Sequence, residues 1–503
     1  YRWMQPPQIR TPGATKTLSY DALQRPTLIE IRSGQNQNKL LAQRRYAYDE
    51  AGNIVQIQSE LGQTGYDYDP LNRLSKAEPD QALQTLGLPQ EAYSYDAAGN
   101  RLSSAHQAGA WTYNEANQLL QYPRALDENA PAQQSQTEQV SASYNAQGHL
   151  IKETGTDWER NWRYNAAGRL SEIKDSADGL TVQYRYDPFG RRIAKTVTQG
   201  ATSRTTYYIN GESALMAEAD EEGRITRAYG FNPHTQQART NEEDEDAEEG
   251  SLWSTDPIWQ ADLAAGQSLK EASYHYLVTD HLGTPVLALN KAGETTWKAR
   301  YEAFGKARID NASTAQINLR LPGQYFDAET GLHQNWNRDY APGIGRYVQA
   351  DPIGLAGGVN VYQYAYGNPL VYYDPYGLFG WSSMPPLPQG LVDFSAGFGD
   401  SLSFGVTRFI RTTANIGSIN YCSSSYRMGE GAAVTMSIVF GGAHLGRNAI
   451  YQMGKKGGLR ISFMRGFKRL KFDNRQWGSV RDSWSKAAGH GKRWLDANNQ
   501  SLH

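Results

Sequence analysis

The sequence predicts a mainly β chain, with many short hairpins joined edge to edge in one long curling sheet and a small, mostly helical C-terminal part. Three observations predict it. The 503 residues include 32 Tyr and 49 Gly, so amphipathic aromatics and turns stand where aliphatic runs would build an ordinary core. A Tyr-Asp or Tyr-Asn pair recurs through the first two hundred residues. The net charge of −2 hides a split: residues 379–503 carry 16 Lys and Arg against 6 Asp and Glu, about +10, which leaves about −12 on the rest. Length alone fits roughly three domains, or one large repeat architecture with an appendage.

The recurring pair stands at Tyr20-Asp21, Tyr48-Asp49, Tyr68-Asp69, Tyr95-Asp96, Tyr113-Asn114, Tyr144-Asn145, Tyr164-Asn165 and Tyr186-Asp187, with steps of 18 to 31 residues. Periods of this order mark a repeat array, and drift in the period points to hairpin loops of variable length. Around Tyr48 the aromatics alternate with small or polar residues, residues 49–53 supply a turn, and a second alternating strand follows. Gly52 and Asn53 are expected to provide positive φ there. A lone hairpin is marginal in water, so the units must pair with one another. Tyr and Asp in them are read as structural: the ring packs between strands and the carboxylate ties the turn.

Residues 239–250 contain Glu-Glu-Asp-Glu-Asp-Ala-Glu-Glu, expected to be a solvated loop. From Tyr274 the pattern returns in denser form, through Tyr276, Asp280, His281 and Gly283. His281 lacks partners at metal-ligand spacing. The stretch 338–378 then holds two Asp-Pro-x-Gly-Leu boxes, one beginning at Asp351 and one at Asp374, around a segment with Gly357-Gly358, Asn360, Tyr362, Tyr364 and Tyr366. From the residues alone each box has two readings. Asp-Pro-x-Gly is ordinary turn punctuation, with Asp capping its own backbone. Two carboxylates held close also cannot both ionise easily, so one keeps a proton while the other activates water, with Arg338 placed to orient a carboxylate.

The paired boxes with Gly-Gly-x-Asn-x-Tyr between them resemble the terminal signature of the Rhs/YD-repeat family, over roughly the first three-quarters of the chain. That resemblance implies a spiralling hollow β-cocoon enclosing a C-terminal toxin, and a type VI secretion effector for interbacterial competition, with relatives among insecticidal Tc toxin C subunits. It implies an intramolecular aspartic-type protease that needs no cofactor: Asp351 and Asp374 as catalytic pair, Arg338 as supporting charge, and the Leu378 to Phe379 bond as cleavage site. Implied partners are the chain's own toxin domain inside the shell, a secretion apparatus with VgrG/PAAR-like spike and chaperone, and a cognate immunity protein. Made in the producer's cytoplasm, such a protein is secreted into a target cell. The divisions expected are 1–270 for the YD-repeat shell, 271–378 for a plug carrying the protease motif, 379–440 for a linker and helical pre-toxin region, and 441–503 for a basic toxin domain that is incomplete at His503.

In the tail, Pro385, Pro386 and Pro388 suit an extended linker, and Asp400 or Ser401 a helix cap. Residues 441–503 hold 13 Lys and Arg against 3 acids, interleaved with Phe463, Phe467, Phe472, Trp477, Trp484 and Trp494. Clustered cations with aromatics fit a phosphate backbone whose bases stack. A basic domain neutralised by an acidic container fits as well. Its sparse chemical groups, His444, Asp473, His490, Asp496 and His503, match a nuclease in which His activates water and others hold a divalent metal; NAD-consuming or ADP-ribosylating chemistry stays open.

Cys422 stands alone, which excludes an intrachain disulfide and a Cys-based metal site. No apolar run approaches the roughly 18 residues of a membrane span. The opening Tyr-Arg-Trp-Met has no signal-peptide pattern and begins in mid-repeat, so a fragment of a longer protein is expected. Two rival functions share the repeats: a YD-repeat surface or adhesion protein, and the C subunit of an insecticidal complex.

Overall fold

A computed structural model of the chain describes residues 7–35, 39–126, 136–232, 255–382, 426–427, 449–453 and 459–463. The chain divides into two compact units, Tyr1–Pro385 and Pro386–His503. In the first, the strands form an antiparallel meander. Nine run from Gln8–Arg10 to Arg101–Ser104 and sixteen from Thr112–Tyr113 to Ala307–Ile309, each paired with its neighbour in sequence.

The Tyr-Asp unit builds this wall through a repeated set of bonds. After the strand Leu40–Tyr48, Asp49 accepts the Asn53 amide N–H on Oδ1 at 2.8 Å and the Asn53 side-chain amide on Oδ2 at 2.9 Å. Gly52 takes φ +87°, a conformation that costs an L side chain about 1–2 kcal/mol. Asn53 does not share that positive φ: its task is to occupy the second oxygen of Asp49. At Asp69 and Asp187 an Arg does so, Arg73 and Arg191 each placing Nε 2.7 Å from the carboxylate. The Tyr before the turn reaches back one hairpin. Tyr68, Tyr95, Tyr164 and Tyr186 each donate at 2.7 Å to the carbonyl of Ile54, Leu74, Leu150 and Leu170, the residue just after an earlier turn. Each hairpin is thus locked to an earlier one by a phenol as well as by the backbone ladder.

The wall turns back on itself. Ile29, Ile31, Ile54 and Leu74 of the nine-stranded sheet share one buried cluster with Val286, Leu287 and Leu289 of the last strands. Lys16 donates to Thr279 at 2.8 Å, and Lys298 pairs with Glu60 at 2.8 Å. The division expected at residue 270 is therefore not a structural one. Ser273–Thr279, Pro285–Leu289, Thr295–Tyr301 and Ala307–Ile309 continue the sixteen-stranded sheet, because the dense Tyr pattern there is the same hairpin pattern.

Among the described residues, the chain leaves the wall after Ile309. It forms a four-stranded sheet, Tyr325–Asp327, Leu332–Asn335, Arg338–Ala341 and Arg346–Tyr347, and then runs across the repeat turns. Asn368 bonds Asn53 at 2.9 Å, Asn360 bonds Asn100 at 2.8 Å, and the Tyr362 hydroxyl bonds the Gly148 carbonyl at 2.8 Å. Asp327 sits buried between Arg192 and Lys195. Half-buried His281 spends Nε2 on the Leu370 carbonyl at 2.7 Å, and loss of solvent around the ring pushes its pKa down, so it serves packing.

In the second unit the described residues are 426–427, which are helical, and a hairpin of Ala449–Met453 with Leu459–Phe463. The acidic run 239–250 and the cap positions Asp400 and Ser401 lie outside the described residues. Among the described residues no helix is long and apolar enough to cross a membrane.

Candidate active site around Arg338, Asp351 and Asp374

The structure brings Arg338, Asp351 and Asp374 together. One guanidinium nitrogen of Arg338 lies 3.0 Å from Asp351 Oδ2 and 3.2 Å from Asp374 Oδ2, and all three side chains are buried. The remaining Arg338 nitrogens donate to the carbonyls of Gly377 at 2.7 Å and Val361 at 3.1 Å. Its guanidinium also stacks on the Tyr347 ring, 3.7 Å from the centroid.

Local geometry explains how the two Asp residues can close their own turns and still meet one cation. Asp351 accepts the Ile353 N–H on Oδ1 at 3.0 Å, and Asp374 accepts the Leu378 N–H on Oδ1 at 3.0 Å. Each Asp thus punctuates its own turn with one oxygen and offers the other to Arg338. The second box, Tyr373-Asp374-Pro375-Tyr376-Gly377-Leu378, is a repeat turn by its bonds: the i+4 amide closes on Oδ1, and Gly377 has φ +65°. In the repeats an Asn or Arg at i+4 occupies Oδ2. Here that place is taken by Leu378, which cannot, and Oδ2 is left for Arg338 and the Tyr347 hydroxyl at 2.8 Å.

A tight hairpin grips this box. Asn335 donates to the Asp374 carbonyl at 2.8 Å, Asn337 to the Tyr376 carbonyl at 2.9 Å, and Arg338 to that of Gly377. Asn335 also donates to the Tyr347 hydroxyl at 2.8 Å. Tyr347 and Asn335 are site residues that sequence reasoning missed, since neither stands in a box or at a telling spacing. Past the box, Trp381–Ser382 pairs with Tyr372–Tyr373, so Leu378 and Phe379 lie in the loop of a short hairpin. Leu378 is half-buried and Phe379 is 40% exposed.

Burial pushes the pKa of both Asp351 and Asp374 above the ordinary carboxylate value, and the Arg338 charge pulls each back in part. The charge of Asp374 adds to the rise at Asp351. A carboxyl raised in this way holds its proton to higher pH, which is what the acid of an acid–base pair requires. Of the tail positions named from the sequence, His444, His490, Asp496 and His503 lie outside the described residues.

A second group of ionisable side chains, Glu91, His106 and Glu302, lies where the sheets meet. Several of its donor atoms are already taken. Tyr93 and the Ala303 N–H bond Glu91, and Arg308 bonds Glu302 at 2.9 Å. With Arg101, Lys306 and Arg308 close by, the group is a buried polar seam and a poor fit for a cation.

A meandering wall of Tyr-Asp hairpins, closed by a segment whose repeat turn has been opened to a second carboxylate, defines a YD-repeat shell of the Rhs type. Residues 14–370 match the family described as Teneurin YD-shell, and the chain belongs to it. It is 33% identical to double-stranded DNA deaminase toxin A of Burkholderia cenocepacia over 361 residues, 68% of this chain and 23% of that protein. It is 32% identical to toxin protein Tse5 of Pseudomonas aeruginosa over 367 residues, 67% of this chain and 27% of that one. The chain thus spans about a quarter of the length of these relatives. Its fold is that seen in a Photorhabdus luminescens Tc holotoxin pore structure, with a TM-score of 0.51 at 19% identity, covering 75% of this chain and 19% of that chain.

Proposed function

We propose that this chain is the self-cleaving part of an Rhs shell that carries and delivers a C-terminal toxin, and that Asp351 and Asp374 hydrolyse the bond between Leu378 and Phe379. The observation that carries the reading is the shared Arg338 nitrogen, which holds both carboxylates within two hydrogen-bond lengths of each other while Asp374 also binds the Leu378 amide. In this mechanism one carboxylate takes a proton from water as its oxygen adds to the Leu378 carbonyl carbon, and the proton held by the other goes to the departing Phe379 nitrogen. Arg338 fixes both carboxyls and, through Gly377, the loop that presents the bond.

The relatives named as toxins support the delivery role, and the type VI apparatus, its spike and chaperone, and an immunity protein belong to the same reading. Nucleic acid is the proposed target of residues 441–503, on their 13 Lys and Arg and their aromatics, with His490, His503, His444 and Asp496 as candidate groups for a divalent metal and water activation. Incubating the freed tail with DNA, RNA and NAD separates nuclease from NAD chemistry.

Cleavage is tested by gel and intact mass. The wild-type chain should give pieces ending at Leu378 and beginning at Phe379, whereas Asp351→Asn and Asp374→Asn should each leave one uncut chain. An uncut wild type would refute the protease assignment.

A further inference from the structure

We infer that Tyr347, aimed by Asn335, is a positioning residue that keeps Asp374 ionised and leaves the proton of the pair on Asp351, an inference that rests on the protease reading above. The directions of three hydrogen bonds carry it. The Asn335 side chain lies 2.8 Å from the Asp374 carbonyl oxygen, which can only accept, so the atom facing it is the amide nitrogen. That nitrogen has a second hydrogen, and the Tyr347 oxygen stands 2.8 Å from it. The phenol therefore accepts from Asn335, and its own proton is left to point at Asp374 Oδ2, 2.8 Å away. Asn335 and Tyr347 are both fully buried, so solvent does not compete for these bonds. The Arg338 guanidinium over the Tyr347 ring favours loss of density from the phenol and so strengthens its donation.

The two carboxyls are thereby unequal. Asp374 meets donors on both oxygens, Arg338 and Tyr347 on Oδ2 and the Leu378 N–H on Oδ1, so a proton on either oxygen would displace one of them. Asp351 has the Ile353 N–H on Oδ1 and the shared Arg338 nitrogen on Oδ2, and among the described residues no phenol bonds it. Hydrogen bonds to the charged form favour that form, and the phenol is the one given to Asp374 alone. Arg338 serves both carboxyls, and the buried Tyr364 phenol near Asp374 stays neutral. This inequality assigns the roles. Asp374 takes a proton from water as the water oxygen bonds to the Leu378 carbon. Asp351 gives its proton to the Phe379 nitrogen as the C–N bond breaks, which leaves an acid and an amine. Asp351 Oδ2 and the Leu378 carbonyl oxygen pack against the same residue, Gly357, which sets the proton-bearing carboxyl beside that bond.

The test uses the full chain, recovered unfolded in urea, freed of cut material by size, and diluted into buffers from acid to mildly alkaline. Cleavage is followed by gel and folding by tryptophan fluorescence. For a pair that works with one proton, the rate rises with pH as the first carboxyl ionises and falls as the second does. Four chains are compared: wild type, Tyr347→Phe, Asn335→Ala, and Tyr164→Phe, which loses a phenol bond in the wall. Tyr347→Phe keeps the ring under Arg338 and should move the rising limb up by about one pH unit, the effect of one hydrogen bond to a charged group, with the falling limb in place. Asn335→Ala frees the phenol to turn and should move the same limb the same way by less. Tyr164→Phe should keep both limbs of the wild type. An unmoved rising limb in Tyr347→Phe would overturn the inference. So would a shift of the falling limb in its place, since Asp351 would then be the base, or an equal shift in Tyr164→Phe, since the limb would then track folding. If Tyr347→Phe does not fold, the rising limb of Asn335→Ala decides in the same way. Wild type uncut at every pH would sink the protease reading and the inference with it, whereas a cleaving wild type with unmoved limbs in the variants sinks the inference alone.

Discussion

Leu378 shows how little separates a repeat turn from the turn at the proposed cleavage site. In the repeats, the residue four after Asp returns a side chain to the carboxylate, as Arg73 does to Asp69 and Asn53 to Asp49. Leu378 keeps the backbone bond to Asp374 Oδ1 and drops the side-chain bond, which frees Oδ2. Replacing it restores the repeat pattern. Leu378→Arg should fall short of wild-type cleavage by tenfold or more on a gel, while the melting temperature holds or rises, because the new guanidinium competes with Arg338 for Asp374. Full cleavage in that variant would mean Oδ2 of Asp374 is not the oxygen that matters. At this scale the sequence was informative where chemistry was local. The boxes could be read directly as turns, because Asp-Pro-x-Gly carries its own geometry, whereas the pairing of their carboxylates around Arg338 came from the family resemblance. Tyr347 and Asn335 could not be read, since each acts on atoms brought near by folding: Tyr347 on the Asp374 carboxylate and Asn335 on the Asp374 carbonyl.

A hairpin of the wall is held by its ladder, its Asp turn and the phenol that reaches back to an earlier hairpin. The phenol bond is the part that can be removed alone. Tyr164→Phe deletes the bond to the Leu150 carbonyl and leaves the ring in place, so unfolding by urea should show a loss of about 1 kcal/mol. No loss would leave the rings as packing alone. The hairpins themselves were legible, because alternation and a Tyr-Asp turn are short-range signals. What the period could not reveal was where the array stops. Residues 273–309 look different in sequence yet continue the same sheet, and the break falls after Ile309, where only long-range contacts such as Asn368 to Asn53 mark the change.

Across the first unit, the closure of the wall on itself creates a seam with opposing pH responses. Burial, and then the Glu302 charge, lift Glu91 from 4.5 to about 7. Its stabilising contribution is therefore present at low pH and lost as pH rises through that window. Burial, then Arg101, Lys306 and Arg308, push His106 from 6.5 down to about 3, which keeps the ring neutral although Glu302 lies 3.7 Å away. Its contribution is present above 6.5 and lost as pH falls. Between about pH 4.5 and 6.5 the two slopes oppose each other. Glu91→Gln should make the urea midpoint rise with pH across that range, and His106→Gln should make it fall. Parallel profiles for the two variants would show that the seam does not set the response.

The strand pair Tyr372–Tyr373 and Trp381–Ser382 straddles the proposed cut. Hydrolysis inside its loop would sever the covalent thread yet leave the fragment beginning at Phe379 stapled to the first unit by that two-residue ladder. Scission and departure would then be separate events, the second requiring that this very short strand be peeled away.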